Sequence, residues 1–177
     1  VGLAVDDGLI ADVSAPVSDL VGDPLFHPEH NTPLTWDQML RQTSGWSATL
    51  WGKPYWADRP ARDNPARDLV AGPPVPGAAW EYNDVRVNAL AQAALHVWRE
   101  PLAQVLDERI MTPIGSSGSW EWQGYKNSWV APEEGEDLYW SVSGGGHWGG
   151  GMTLSAHAPA PFGLLGPNRG HWAGALL

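Results

Sequence analysis

Apolar positions recur at the helical period in three stretches of this chain and alternate in one. The longest helical pattern follows Asn83, where Val87, Leu90, Ala91, Ala94, Leu95 and Trp98 stand at i, i+3, i+4, i+7, i+8 and i+11 and form one apolar face. Asn83 and Asp84 precede it, where a short polar side chain can cap free backbone N–H groups. Glu100-Pro101 closes it, because proline disfavours the helical conformation in the residue before it. Tyr82 therefore stands on the turn that enters a buried helix, a placement that aims a polar side chain into a cleft.

Two shorter helices are marked as clearly. Thr35-Trp36-Asp37-Gln38 reads as a capping box, with Leu34 and Met39 where a hydrophobic staple belongs and glycine at the exit, Gly45. Pro101 to Ile110 carries a buried stripe of Leu102, Val105, Leu106 and Ile110 and stops near Pro113-Ile114-Gly115. The alternation of Trp120, Trp122 and Gly124 predicts a strand, within a run of short strands or extended loops from Ser119 to Tyr139. Residues 9–33 are broken by Pro16, Pro24, Pro28 and Pro33 and read as irregular. The connection from Trp46 to Pro76 carries Trp51, Tyr55 and Trp56, read as packing residues, and a charged run from Asp58 to Asp63, read as a solvated surface loop.

Composition narrows the classes. A length of 177 residues predicts one domain, and 43% hydrophobic residues suffice for a core. Sixteen prolines and 21 glycines predict a loop-rich protein, and twelve Trp beside two Phe predict that Trp does ordinary core work. The formal net charge of −10 argues against a nucleic-acid partner or an anionic membrane surface, both of which need a basic patch. No apolar run approaches the ~20 residues of a membrane span. There is no cysteine, hence no disulfide framework and no thiolate metal site.

The opening VGLAVDDG reads as the last turns of a helix ending at Gly8, and no signal peptide is visible at the start. A helix with an end and no beginning sets the expectation that the chain is an internal piece of a longer protein.

Three candidate constellations carry little chemistry. His27 and His30 in HPEH are spaced for a metal, but Pro28 interrupts them and no third ligand stands near, so they read as loop histidines. Gly144-x-Gly146-x-x-Gly149 matches a dinucleotide fingerprint only formally, without the flanking strand, patterned helix or acidic partner. It reads instead as a glycine-rich turn that admits a close approach, with His147 and Trp148 its only chemically equipped side chains. Ser44 has no adjacent base and sits at a helix end, where serine is common. No cofactor and no metal are expected.

Four blocks, in order, resemble one family. LTWDQMLRQTSGW, residues 34–46, looks like I-T-x-x-x-L-L-x-x-T-S-G, and the stretch from Pro76 looks like P-G-x-x-F/W-x-Y-S/A-N followed by a long helix. Residues 101–115 resemble P-L-x-x-x-L-x-E-x-I-x-x-P-L/I-G, and residues 149–165 resemble G-G-x-x-S-T/A-x-D-L-A-R-F-G. Together they span most of the chain and resemble the serine β-lactamase-related hydrolases: class C β-lactamases, D,D-peptidases, esterases and amide hydrolases. The resemblance implies an α+β fold, an α/β/α sandwich plus a helical domain, of which this chain covers mainly the helical domain. The expected organisation is one partial domain over residues 1–177, truncated at both ends. Its helical core spans 34–115 and its loop- and strand-rich part 116–177.

The resemblance also implies the chemistry, acyl transfer through a serine ester on a small-molecule ester or amide, a β-lactam included. Tyr82 matches the family tyrosine that relays the serine proton and is the expected catalytic residue. Its phenol titrates near ~10 unless a neighbouring positive charge lowers it. Asp84, His147 and Trp148 are the expected secondary residues.

Three departures stand out. Ser-x-x-Lys is absent, since Leu50 and Gln123 stand three residues before the only lysines, Lys53 and Lys126, and the nucleophile is expected to precede Val1. Position 84 is Asp where the family most often has Asn, and an ionised carboxylate accepts but cannot donate a hydrogen bond. Ala158 and Pro161 replace the family Asp and Arg. The leading expectation is thus part of a serine hydrolase, inactive alone. The alternatives are a Trp/Gly-rich module that binds carbohydrate or peptide, or a relative that keeps the fold without the chemistry. Substrate, compartment and oligomeric state are left open by the sequence.

Overall fold

A computed structural model describes residues 1–57, 72–133, 135, 137–144, 151–155 and 159–177. The run Asp58–Asp63, His147, Trp148 and Ala158 lie outside the described residues. The described residues form five α-helices and three two-stranded antiparallel ribbons. The helices are α1 (Gly2–Asp6), α2 (Trp36–Leu40), α3 (Asp84–Trp98), α4 (Leu102–Leu106) and α5 (Pro159–Leu165). The strands are β1 (Trp120–Trp122), β2 (Trp129–Val130), β3 (Tyr139–Trp140), β4 (Met152–Leu154), β5 (His171–Trp172) and β6 (Ala175–Leu176). β1 pairs with β4, β2 with β3 and β5 with β6. None of the helices is long and apolar enough to cross a membrane.

Local signals place the first helices. α1 is followed by Gly8 at φ +73°, the left-handed conformation that glycine adopts without strain. α2 has its full capping box, with the Thr35 hydroxyl accepting from Gln38 N and the Gln38 side chain accepting from Thr35 N. Leu34 and Met39 are both buried in the same cluster.

α3 is the spine of the molecule. Val85, Ala89 and Ala93 join a cluster with Ile10, Phe26, Trp36 and Trp46, while Ala91, Ala94 and Leu95 join a second with Leu102, Val130 and Val142. The expectation of a single apolar face is therefore corrected: α3 is buried on opposite sides. Its polar residues Arg86, Asn88, Gln92 and His96 are buried as well. Arg86 donates to Glu81 Oε2 at 2.9 Å, and Asn88 Oδ1 accepts from Gly144 N at 3.0 Å. Gln92 donates to Asp23, and His96 Nδ1 donates to Pro132 O at 2.9 Å. Buried polar groups are tolerated when each has a partner, and these partners come from four separate segments.

Two further expectations are corrected. The helix after Pro101 is α-helical only to Leu106 and continues as a π-helical turn, Asp107–Met111. Tryptophan is not uniformly core: Trp36 and Trp46 are fully buried, whereas Trp56, Trp80 and Trp129 are exposed. On the strand-rich side Trp129 is exposed, while Trp120, Trp122, Trp140 and Trp172 are half-buried.

Close packing requires glycine at several positions, two of which bear on the site's surroundings. A Cβ on Gly144 would lie 2.6 Å from Val87 Cγ1, so the start of the glycine-rich segment rests on α3. A Cβ on Gly124 would lie 2.0 Å from Ser141 O, which lets the chain leaving β1 pass directly beside the end of β3.

Candidate active site

The site is built on the three residues before α3. Glu81 is buried and donates its backbone N–H to Gln42 O at 2.9 Å. Its carboxylate turns inward to Arg86, while Trp80 and Tyr82 are exposed on either side of it in sequence, as alternation in extended backbone requires. Asn83 then caps α3: its Oδ1 accepts from Val85 N at 2.8 Å and from Arg86 N at 3.3 Å. The other half of the same amide donates to Tyr55 O at 3.0 Å and Ala57 O at 2.9 Å. A fully buried amide with both ends occupied pins the turn that carries Tyr82 to the loop containing Trp51, Lys53 and Tyr55.

Tyr82 and Asp84 are brought together across this turn. The Tyr82 hydroxyl donates to Asp84 Oδ1 at 2.6 Å, the length of a charge-assisted hydrogen bond. Asp84 is buried, whereas Tyr82 is 39% exposed. The hydrogen bond to Asp84 holds the phenol protonated, and desolvation, the Asp84 charge and Tyr125 act in the same direction. Together they push the phenol up to about 12. Every one of these influences disfavours the phenolate. At neutral pH the phenol is neutral and presents its proton to Asp84, and the Tyr82 side chain is partly exposed.

Tyr125 reads in the sequence only as one of the aromatics of the Ser119–Tyr139 run, not as a neighbour of this site. It is held under the 51–53 loop, its ring 6.0 Å from that of Trp51 and the Lys53 Nζ 5.1 Å from its centroid. Asn127 Nδ2 donates to Trp51 O at 2.6 Å and ties the same two segments. The legible signal was Lys53, one of only two lysines, set among Trp51, Tyr55 and Trp56; its partner Tyr125 lies too far along the chain to be paired by pattern.

The remaining candidates separate from this site. His27 Nε2 donates to Val21 O at 2.9 Å and His30 Nε2 to Gly45 O at 2.8 Å, so each ring ties a loop to backbone. Among the described residues no group of three His, Asp or Glu is placed to hold a metal ion. Ser44 is fully buried and accepts from Trp46 N at 3.4 Å. Of the expected secondary residues, the structure places Asp84 beside Tyr82, and His147 and Trp148 are outside the described residues.

A family model described as Beta-lactamase matches residues 1–162. Among solved structures, the chain is similar to the octameric penicillin-binding protein homologue from Pyrococcus abyssi, at 18% identity and a TM-score of 0.59, covering 95% of this chain and 42% of that one. It is similar to a D-stereospecific amidohydrolase from Streptomyces sp., at 16% identity and a TM-score of 0.54, covering 92% and 55%. It is also similar to a beta-lactamase/D-alanine carboxypeptidase from Yersinia pestis, at 18% identity and a TM-score of 0.55, covering 90% and 47%. At these identities the likeness is one of fold, and the chain spans about half the length of the structures it matches. No curated protein matches the sequence.

Proposed function

The chain belongs to the beta-lactamase family, and from that premise we propose that it is part of a serine hydrolase that cleaves an ester or amide bond through an acyl-enzyme. In this reading the nucleophilic serine of a Ser-x-x-Lys pair lies in sequence outside residues 1–177, and this chain contributes the proton-handling arm of the site. The observation that carries it is the Tyr82–Asp84 hydrogen bond at 2.6 Å, on a turn fixed by a buried Asn83.

The pair works as a relay rather than as a phenolate base. As the serine oxygen attacks the carbonyl carbon, its proton passes to Tyr82 Oη while Tyr82 passes its own proton to Asp84 Oδ1. The phenol is neutral before and after, so a phenol held near 12 is no obstacle. Collapse of the tetrahedral intermediate runs the relay backwards and delivers a proton to the leaving group. Asp84, where the resemblance leads one to expect an amide, supplies the terminal acceptor that an amide cannot. Asn83 acts as a positioning residue.

The test uses the longer protein that carries these residues together with its Ser-x-x-Lys, assayed on a p-nitrophenyl ester and a chromogenic cephalosporin. Tyr82→Phe removes the relay and is expected to lower kcat/KM by ~10²-fold or more, the size of lost acid–base help. Unchanged activity in Tyr82→Phe would return Tyr82 to a turn residue. No hydrolysis at all would favour the second reading, a binding relative without the chemistry. That reading draws support from the aromatic groove beside β1.

A further inference from the structure

We propose that the groove beside β1 and the π-helical turn is a binding site for an organic cation, specifically an alkylammonium group. The inference stands on the groove alone and is independent of the hydrolase reading. The groove encloses about 640 Å³ and is lined by Asp107, Ser117, Trp120, Glu121, Trp122 and Trp140 together with Gln123 and neighbouring small residues. That volume falls within the ~300–1,000 Å³ of ordinary small-ligand sites.

Most side-chain donors of the lining are spent on the protein itself. A tryptophan side chain has one polar capability, its N–H. Trp120 gives that N–H to Asp107 Oδ1 at 3.0 Å, Trp122 to Ser143 O at 2.9 Å and Trp140 to Tyr125 O at 2.8 Å. Ser117 donates its hydroxyl to Asp107 Oδ2 at 3.1 Å, and Gln123 donates to Glu121 Oε2 at 2.9 Å. What three indoles then offer a ligand is apolar surface with a negative π-face. What the polar residues offer is chiefly carboxylate oxygen, and among the described residues no Lys, Arg or His lines the groove.

Aromatic surface with surplus acceptors is complementary to a cation that is apolar over most of its surface. An anion would meet two carboxylates. A polyol, whose hydroxyls need acceptors and donors in equal measure, would find most of the side-chain donors committed, with a second N–H of Gln123 left over. An ammonium carried on methyl or methylene groups satisfies both halves of the lining through cation–π contact and charge. The wall is set before the ligand arrives: Trp140 is stacked on Trp129 with centroids 5.9 Å apart and planes at 13°. Asp107 is held below the usual carboxylate range, chiefly by the Trp120 hydrogen bond, and so stays charged through neutral pH.

The experiment compares choline with 3,3-dimethyl-1-butanol, which has the same shape without the charge, by isothermal titration calorimetry on the protein at low salt. Choline is expected to bind saturably and about tenfold more tightly than the neutral isostere, the contrast a partly desolvated cation–π site gives. Glu121→Gln, at an exposed position that leaves the fold intact, is expected to weaken choline about fivefold, as for a solvent-facing charge ~4 Å away, and to leave the isostere unchanged. Equal binding of the two compounds would overturn the proposal. So would absence of saturable choline binding, or a neutral monosaccharide that binds more tightly than choline.

Discussion

Replacing Asp84 by Asn isolates the electrostatic core of the candidate site with a single nearly isosteric change. The amide removes the negative charge that raises the phenol of Tyr82 and leaves only a neutral oxygen to accept its hydrogen bond, while Asn83 and its four hydrogen bonds keep the turn in place. Tyr82 should then titrate lower, toward its ordinary value of ~10, with desolvation and Tyr125 still holding it somewhat above. The assay is the tyrosinate absorbance titration, with Tyr82→Phe subtracted so that the other three tyrosines cancel. Linkage supplies a second readout. A phenol raised in the folded state holds its proton more tightly than the unfolded chain does. The resulting stability is complete below pH ~10, and it is lost as pH climbs from there through about 12. Because the phenol is 39% exposed, solvent screening cuts that contribution to about 1 kcal/mol. Asp84→Asn should reduce this alkaline loss and lower stability at pH 7 by a similar amount. A Tyr82 that titrates near 10 in the unaltered protein, or a midpoint that Asp84→Asn does not move, would refute the reasoning.

Other predictions test the scaffold. Asp23→Ala removes the cap of Leu25 N and the acceptor of Gln92, and leaves His96 Nε2 without the carboxylate 3.5 Å away; chemical denaturation should show a loss of ~2–4 kcal/mol. Burial opposes the charge on Asp23, but bonds from His96, Leu25 and Gln92 prevail and hold its pKa below 3.8. Its contribution is therefore present above pH ~3.8 and lost on acidification through the lower folded value, and that acid-side loss should be missing in Asp23→Ala. Gly144→Ala places a methyl 2.6 Å from Val87 Cγ1 and should destabilise by ~1–3 kcal/mol, a cost that Val87→Ala in the same molecule should partly remove.

Legibility followed the range of the interactions. The capping box at Thr35 and the cap at Asn83 depend on residues within one helical turn, and both were readable from the sequence. The strand at Trp120 was readable from alternation, although its partner Met152–Leu154 was not. Tyr82 and Asp84 were readable as neighbours on a turn, but a carboxylate that raises the phenol requires a side-chain geometry that spacing does not encode. The reading of α3 as one-sided failed for a related reason. Arg86, Asn88, Gln92 and His96 look solvated along the sequence, and only partners 5 to 69 residues away make their burial tolerable. Tyr125 was not read as a neighbour of this site because its link to the Trp51 loop spans most of the central chain.

The polar stripe of α3 behaves like the teeth of a key. A helix buried by apolar contacts alone can slide or rotate by a turn, ~5.4 Å, and find new neighbours of similar quality. Here such a slip would strand a guanidinium, two amides and an imidazole away from four different segments at once. The axial setting of α3 is therefore quantised, and with it the position of Tyr82 at its head. His96, fourteen residues beyond Tyr82 and so about 20 Å along the axis, helps to decide where a phenol oxygen sits. The placing of Tyr82 is thus tied to contacts at the far end of the shaft.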